Sequence, residues 1–199
     1  MSVRLGDVCK IVRGASPRPI QSYITDKEDG VNWIKIGDVL PDSKYITQTK
    51  QKITADGAKH SRFVKVGDFI LSNSMSFGRP YIMKIDGCIH DGWLSISDFE
   101  DYLISDYLYY VLTSSAIQRS MELKASFGGA VSNLNAEIVR DIVISIPTFD
   151  KQKLIINVLD KFDTITNDLS HGLPAEIKAR QEQYEYYRDK LLSFKKLEN

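Results

Sequence analysis

Asp141-Ile142-Val143-Ile144-Ser145-Ile146-Pro147-Thr148-Phe149-Asp150 is the stretch on which the fold turns. Its β-branched run reads as a strand over 141–146, and Pro147, which cannot donate to a ladder, ends it. Beyond Phe149 the strand-forming residues fade. Residues 150–199 hold nine Lys/Arg and nine Asp/Glu, a dense and balanced charge set. Ile155, Phe162 and Leu169 recur every seven residues with Val158 and Ile165 between them, which makes an a/d stripe. Gly172-Leu173-Pro174 interrupts it, because Gly ends helices and Pro suits the first turn of the next. A second stripe then places Ile177, Tyr184 and Leu191 at one position and Arg180, Tyr187 and Phe194 at the other.

Working back toward the N-terminus, short strands alternate with turns. Val31 to Ile36 reads as a strand, and Phe63 to Leu71 as two apolar pieces broken at Gly67-Asp68. Tyr81 to Ile85, Asp86-Gly87 and Cys88-Ile89 predict a hairpin closed by a tight primed turn. The spacing of Leu108, Val111, Leu112, Ile117 and Met121 predicts one helix from Ser105, capped by that serine. A glycine-rich loop over 126–133 leads to a short helix capped by Asn135. The expected class is α+β. A mixed α/β domain with a short-stranded sheet occupies residues 1–148, followed by a long C-terminal helical arm of coiled-coil type over 149–199.

The 199 residues are 43% hydrophobic and 26% charged, enough apolar material for a sizeable core. No apolar run is long enough for a membrane span and no secretory signal opens the chain, so the expected address is the cytoplasm, with no membrane partner. Cys9 and Cys88 lie far apart without metal-ligand spacing, as reduced cytoplasmic thiols would. Net charge is zero, yet Lys44 to Arg79 carries a local excess of five positive charges and Tyr81 to Tyr110 an excess of five negative ones. Such segregation creates fields that the total conceals.

Candidate chemistry is sparse. Pro41-Asp42 with Glu122-Leu123-Lys124 supplies the letters of a metal-dependent nuclease, but across a wide gap, and PDSK reads as an ordinary turn. Cys88, His90 and Asp91 supply nucleophile, imidazole and carboxylate letters, with no oxyanion loop attached. There is no phosphate-cradling loop, dinucleotide fingerprint or metal-binding His pair, so no metal or cofactor is expected on this chain. A standalone nuclease and a helical scaffold remain as alternative readings.

Val3-Arg4-Leu5-Gly6-Asp7-Val8 leading to Gly14-Ala15-Ser16-Pro17, then Trp33 to Asp38, Val66 to Ser72 with Ser76-Phe77-Gly78, and Gly129 to Asn135 ahead of Ile144 to Pro147 follow one another in a familiar order. The most specific stretch is the tail: Gln152-Lys153-Leu154-Ile155, Leu159 to Asp163, Gly172 to Ile177 and Tyr184 to Leu192. Together they resemble the target-recognition domain and spacer helix of Type I restriction-modification specificity subunits. Members of that family carry two such domains and two helices. This sequence shows one of each, a half-length form.

The resemblance implies a non-catalytic reader of double-stranded DNA that takes one half of a split site. Partner methyltransferase subunits would supply adenine methylation, and a restriction subunit cleavage. S-adenosylmethionine, ATP and Mg²⁺ belong on those partners. Base readout needs short polar and Arg side chains on loops, while Lys and Arg fix register on phosphates. The candidates are Arg13, Ser16 and Arg18 in the first loop, and Lys50, Lys52, Lys59, His60 and Arg62 in the basic segment. Ser74, Ser76 and Arg79 follow, then Lys124 and Ser126 beside the glycine loop. Ile155, Val158, Phe162, Ile177, Tyr184, Tyr187, Leu191 and Phe194 are the expected dimer or partner contacts. A homodimer is expected, because one a/d stripe cannot bury itself.

Overall fold

The computed structural model describes residues 2–39, 43–73, 77–126, 134–163, 176 and 182–183. The chain divides into a compact unit of residues 1–153 and a second unit of 154–199. In the first unit the strands are β1 (Ser2–Arg4), β2 (Lys10–Arg13), β3 (Ile24–Thr25), β4 (Val31–Ile34), β5 (Tyr45–Ile46), β6 (Gln51–Ile53), β7 (Arg62–Val64), β8 (Phe69–Ser72), β9 (Pro80–Met83), β10 (Gly87–Ile89), β11 (Trp93–Ser97) and β12 (Val143–Ser145). Helices α1 (Ala55–Lys59), α2 (Ser105–Thr113), α3 (Ser115–Ser126) and α4 (Ala136–Arg140) are joined by a further helix, α5, over residues 149–163.

The strands form two five-stranded mixed sheets, in the orders β3-β6-β4-β10-β7 and β2-β11-β8-β9-β5. They pack on each other through Ile34, Val64 and Ile89 of the first and Ile46, Ile70, Tyr81, Met83 and Trp93 of the second. Alternation along the strand then turns Trp33 and Cys88 to the opposite face, where with Ile53 they meet Ile20, Tyr23, Ile24 and Ala58. This second apolar face accounts for the continuous burial of β10 and for the near-absence of polar residues in it. A two-stranded antiparallel ladder, Ser2 opposite Ser145, joins the start of the unit to its end.

The hairpin expected over residues 81–89 does not form. β9 is already flanked by β8 and β5, and β10 by β4 and β7, so neither offers the other a free edge. The chain instead crosses between sheets at Asp86-Gly87. Asn32 Nδ2 donates to the Asp86 carbonyl at 2.7 Å, and the Asp86 carboxylate accepts from the Val66 N–H at 2.7 Å. Gly87 serves close approach here, since a Cβ would lie 2.6 Å from Ile34 Cδ1 and 2.8 Å from the Asn32 carbonyl. Among the described residues positive φ falls instead at Gly67 (φ +96°), Gly78 (φ +67°) and Asp98 (φ +58°).

The single helix expected from Ser105 is two. Ser114 adopts extended backbone (φ −62°, ψ 141°) and its hydroxyl donates to the Val111 carbonyl, so α2 stops and α3 restarts. Ser105 is not the cap; Ile104 holds that position, and its N–H donates to the Gln152 side chain at 2.8 Å. The expected cap of α4 is present, with Asn135 Oδ1 accepting from the Ile138 N–H at 2.9 Å. The last strand of the unit is shorter than 141–146. Ile155, Val158 and Phe162 on α5 are exposed. The glycine loop 127–133 lies outside the described residues, as do Ile177, Tyr184, Tyr187, Leu191 and Phe194. No described helix is long and apolar enough to cross a membrane.

Candidate nucleic-acid interface

Strand register brings one set of loops to a common end. β2 leaves its sheet at Arg13, opposite Leu94, while β11 enters at Trp93, opposite Ser72. In the other sheet β10 leaves at Ile89, opposite Arg62 and beside Ile34, and Gln51 stands opposite Trp33. The segments after Arg13, Ile34, Ser72 and Ile89, and those before Gln51, Arg62 and Trp93, therefore meet at one edge of the two-sheet stack. Asp68, Asp86 and Asp98 fall at the other end of the same strands, beyond Phe69, Gly87 and Ser97. The charge segregation of the sequence becomes a largely end-to-end separation.

The first loop is stitched down by backbone geometry. The Gly14 N–H donates to the Trp93 carbonyl at 2.8 Å and the Ala15 N–H to Ile89 at 3.2 Å, while the Ser61 hydroxyl donates to the Ala15 carbonyl at 2.7 Å. A Cβ on Gly14 would fall 2.0 Å from the His90 carbonyl, so only glycine permits this crossing. Ser16 Oγ donates to Asp91 Oδ1 at 2.8 Å and Arg18 Nη2 lies 3.8 Å from Asp91 Oδ2. Arg13 Nε donates to the Asp91 carbonyl at 3.0 Å, and Arg62 Nε to the Arg13 carbonyl at 3.5 Å. The hydroxyl of Ser16 holds the Asp91 carboxyl below the usual carboxylate range, so it is anionic at neutral pH.

Two clefts share the wall formed by His90 and Asp91. One, of about 500 Å³, is lined by Ser16, Arg18, Gln21, Trp33, Lys35 and Gln51 among others. The second, of about 390 Å³, takes in Arg13, Asn73, Leu134 and Asn135. Cys88 cannot act as a nucleophile here. It is fully buried beneath Trp33, and burial pushes its thiol up; Cys9 is pushed up to about 12 by the same cause. Glu122 is exposed on α3, and Asp42 lies outside the described residues.

A family model described as "Type I restriction modification DNA specificity domain" matches residues 1–179. The chain belongs to this family. The specificity subunit of the Type I restriction enzyme EcoR124I/EcoR124II of Escherichia coli is 30% identical over 199 residues, covering 98% of this chain and 48% of that protein. The EcoprrI specificity subunit, also of Escherichia coli, is 25% identical over 96% of this chain and 49% of its own length. This specificity-domain chain thus spans about half the length of the curated relatives it matches. The HsdS subunit of Thermoanaerobacter tengcongensis shares the fold, with a TM-score of 0.69 and 20% identity over 86% of this chain and 39% of that one. A chain from a structural study of complex assembly and conformational transition in the type I R-M system shares it at a TM-score of 0.71 and 21% identity, over 93% of this chain and 43% of its own.

Within this specificity domain, the strand ends gather Arg13, Ser16, Arg18 and Arg62, with Lys50 preceding Gln51. The rest of the basic segment makes contacts close to its own elements. Lys52 Nζ donates to the Glu28 carbonyl at 2.9 Å, Lys59 pairs with Asp56 at 3.2 Å on α1, and the exposed His60 ring lies 6.2 Å from that of Tyr23. Arg79 stands 5.6 Å over the Tyr81 ring and lines a separate cavity with Phe77, Pro80, Thr113 and Gln118. Lys124 donates to the Asp141 carbonyl at 2.9 Å, two residues before β12. Ser74 and Ser76 lie outside the described residues, as does the side chain of Ser126. Sequence reasoning missed Lys35 and Asn73, and weighed His90 and Asp91 only as letters of a nucleophile site. The polar Asn73 and His90-Asp91 each follow an apolar strand directly, and that abrupt change was the available signal.

Proposed function

We propose that this chain is the non-catalytic DNA-reading half of a Type I specificity assembly. The observation that carries the reading is the convergence of Arg13, Ser16, Arg18 and Arg62 on loops at one end of two packed sheets, with Asp68, Asp86 and Asp98 at the other. Rigid strands hold the loops, short polar and guanidinium groups face the same side, and neither demands chemistry from this chain. Partner methyltransferase subunits modify the DNA and a restriction subunit cleaves it, in the cytoplasm. Two copies paired through antiparallel C-terminal helices present two identical readers, so the target is a palindrome with an unread spacer. A helix from about Pro174 to Lys196 would be roughly 34 Å long, near one turn of duplex DNA.

Duplex binding by the full chain tests the reading. Affinity should fall steeply as salt rises, and the Lys50→Ala, Arg62→Ala double substitution should weaken all sequences and reduce the salt slope by about two. Absence of salt-sensitive binding at low ionic strength, or no change in that slope, would remove the proposal.

A further inference from the structure

The Asp91 carbonyl accepts from two side chains, Arg13 Nε on β2 at 3.0 Å and Asn73 Nδ2 just past β8 at 2.9 Å. Its carboxylate takes Ser16 Oγ at 2.8 Å and faces Arg18, and its N–H returns to Ser16 Oγ at 3.4 Å. Arg13 and Asn73 line one of the two clefts and Ser16 and Arg18 the other, while Asp91 lines both. One residue therefore ties together three loops, those that leave β2 and β8 and the one that enters β11 between them. An acidic group at a surface meant for phosphates is otherwise a liability, since it repels the ligand.

We propose that Asp91 is the positioning residue that sets which base pairs this domain accepts, holding Arg13, Ser16, Arg18 and Asn73 in one arrangement before DNA arrives. The inference rests on the DNA-reading function and deepens it. The bonds differ in strength. Ser16 and Arg13 are held at hydrogen-bond distance, whereas Arg18 is 84% exposed and 3.8 Å away, a pairing weak enough to be exchanged for a DNA phosphate. Arg13 is fixed through Nε, which leaves its two terminal nitrogens geometrically suited to the O6 and N7 acceptors of a guanine. Preorganisation of this kind raises discrimination without adding contacts.

Two opposite effects follow from removing the carboxylate. Repulsion of phosphate falls, so binding to any sequence holds or tightens. The Ser16 and Arg18 loop loosens, so the preference for the right sequence falls. The test selects from a random-sequence duplex pool with the full wild-type chain. It then compares the selected duplex and a scrambled one against wild type, Asp91→Ala and Asp91→Asn, with a thermal melt of each. Asp91→Ala should bind the scrambled duplex at least as tightly as wild type while the selected-to-scrambled ratio drops about tenfold. Asp91→Asn keeps an acceptor for Ser16 and should retain most of the ratio while binding both duplexes more tightly. An unchanged ratio in Asp91→Ala would overturn the proposal. So would parallel loss on both duplexes with a lowered melting temperature in both variants, which marks a purely structural residue. If the wild type enriches no sequence from the pool, the DNA-reading function itself fails and takes this inference with it.

Discussion

Protonating His90 would remove a hydrogen bond from the turn that carries Asp91. Its Nδ1 accepts from the Gly92 N–H at 2.8 Å, which a charged ring cannot do. Burial lowers the pKa of this histidine, outweighing the pull of Asp91 and Asp38, and Lys35 lowers it further. The folded state thus disfavours the proton relative to the unfolded chain. Stability is unaffected while both forms are neutral and falls as pH drops below the ordinary histidine range near 6.5. Between about pH 8 and about pH 5.5, wild type should lose more melting temperature than His90→Asn. An identical decline in the two proteins would show that His90 is not the responsible group. Single residues were unevenly legible in the sequence. Asn135 announced its role because a cap is a local pattern, one amide and the N–H three residues on. Asp91 did not, because its meaning lies in partners at Arg13, Ser16, Arg18 and Asn73, which only strand pairing brings near.

Among the elements, α5 is moored at its first turn by a buried polar side chain. Gln152 is fully buried; its Oε1 accepts from the Ile104 N–H, and its Nε2 donates to the carbonyls of Tyr102 and Pro147. Gln152→Ala leaves these three backbone groups without that partner and should destabilise the first unit by about 2–3 kcal/mol, measured by denaturant unfolding. A loss within a few tenths would mean that water substitutes for the amide. Gln152→Glu should be comparably harmful, since it buries an acid against two carbonyls. The motif around Gln152 was visible in the sequence; its function as a helix mooring was not. Elements decided by local signals, such as the Gly67 turn and α4, were legible. The crossing at Asp86-Gly87 was not, because turn chemistry says where a chain bends and sheet partners decide where it goes next. The break between α2 and α3 likewise hides behind continuous helical spacing, since Ser114 ends the helix by turning its own backbone extended.

At the scale of the whole molecule, the proposed homodimer has a hydrodynamic signature. Ile155, Val158 and Phe162 leave apolar surface exposed on α5, which suits a helix that meets a partner. Wild type should sediment as a dimer at micromolar concentration. The Tyr184→Glu, Leu191→Glu double variant should sediment as a monomer while its first unit melts unchanged. A monomeric wild type, or a variant that stays dimeric, would rule out this interface. The antiparallel ladder between Ser2–Arg4 and Val143–Ser145 carries a different consequence, one of timing. A contact between residues so distant in sequence raises the contact order and slows folding. On the ribosome, where synthesis proceeds at roughly 5–20 residues per second, β1 is made before β12 and waits for it. β1 is thus an unpaired edge until β12 is made, and its three residues with an arginine at the end keep that edge short and charged during the interval when a neighbouring nascent chain could pair with it.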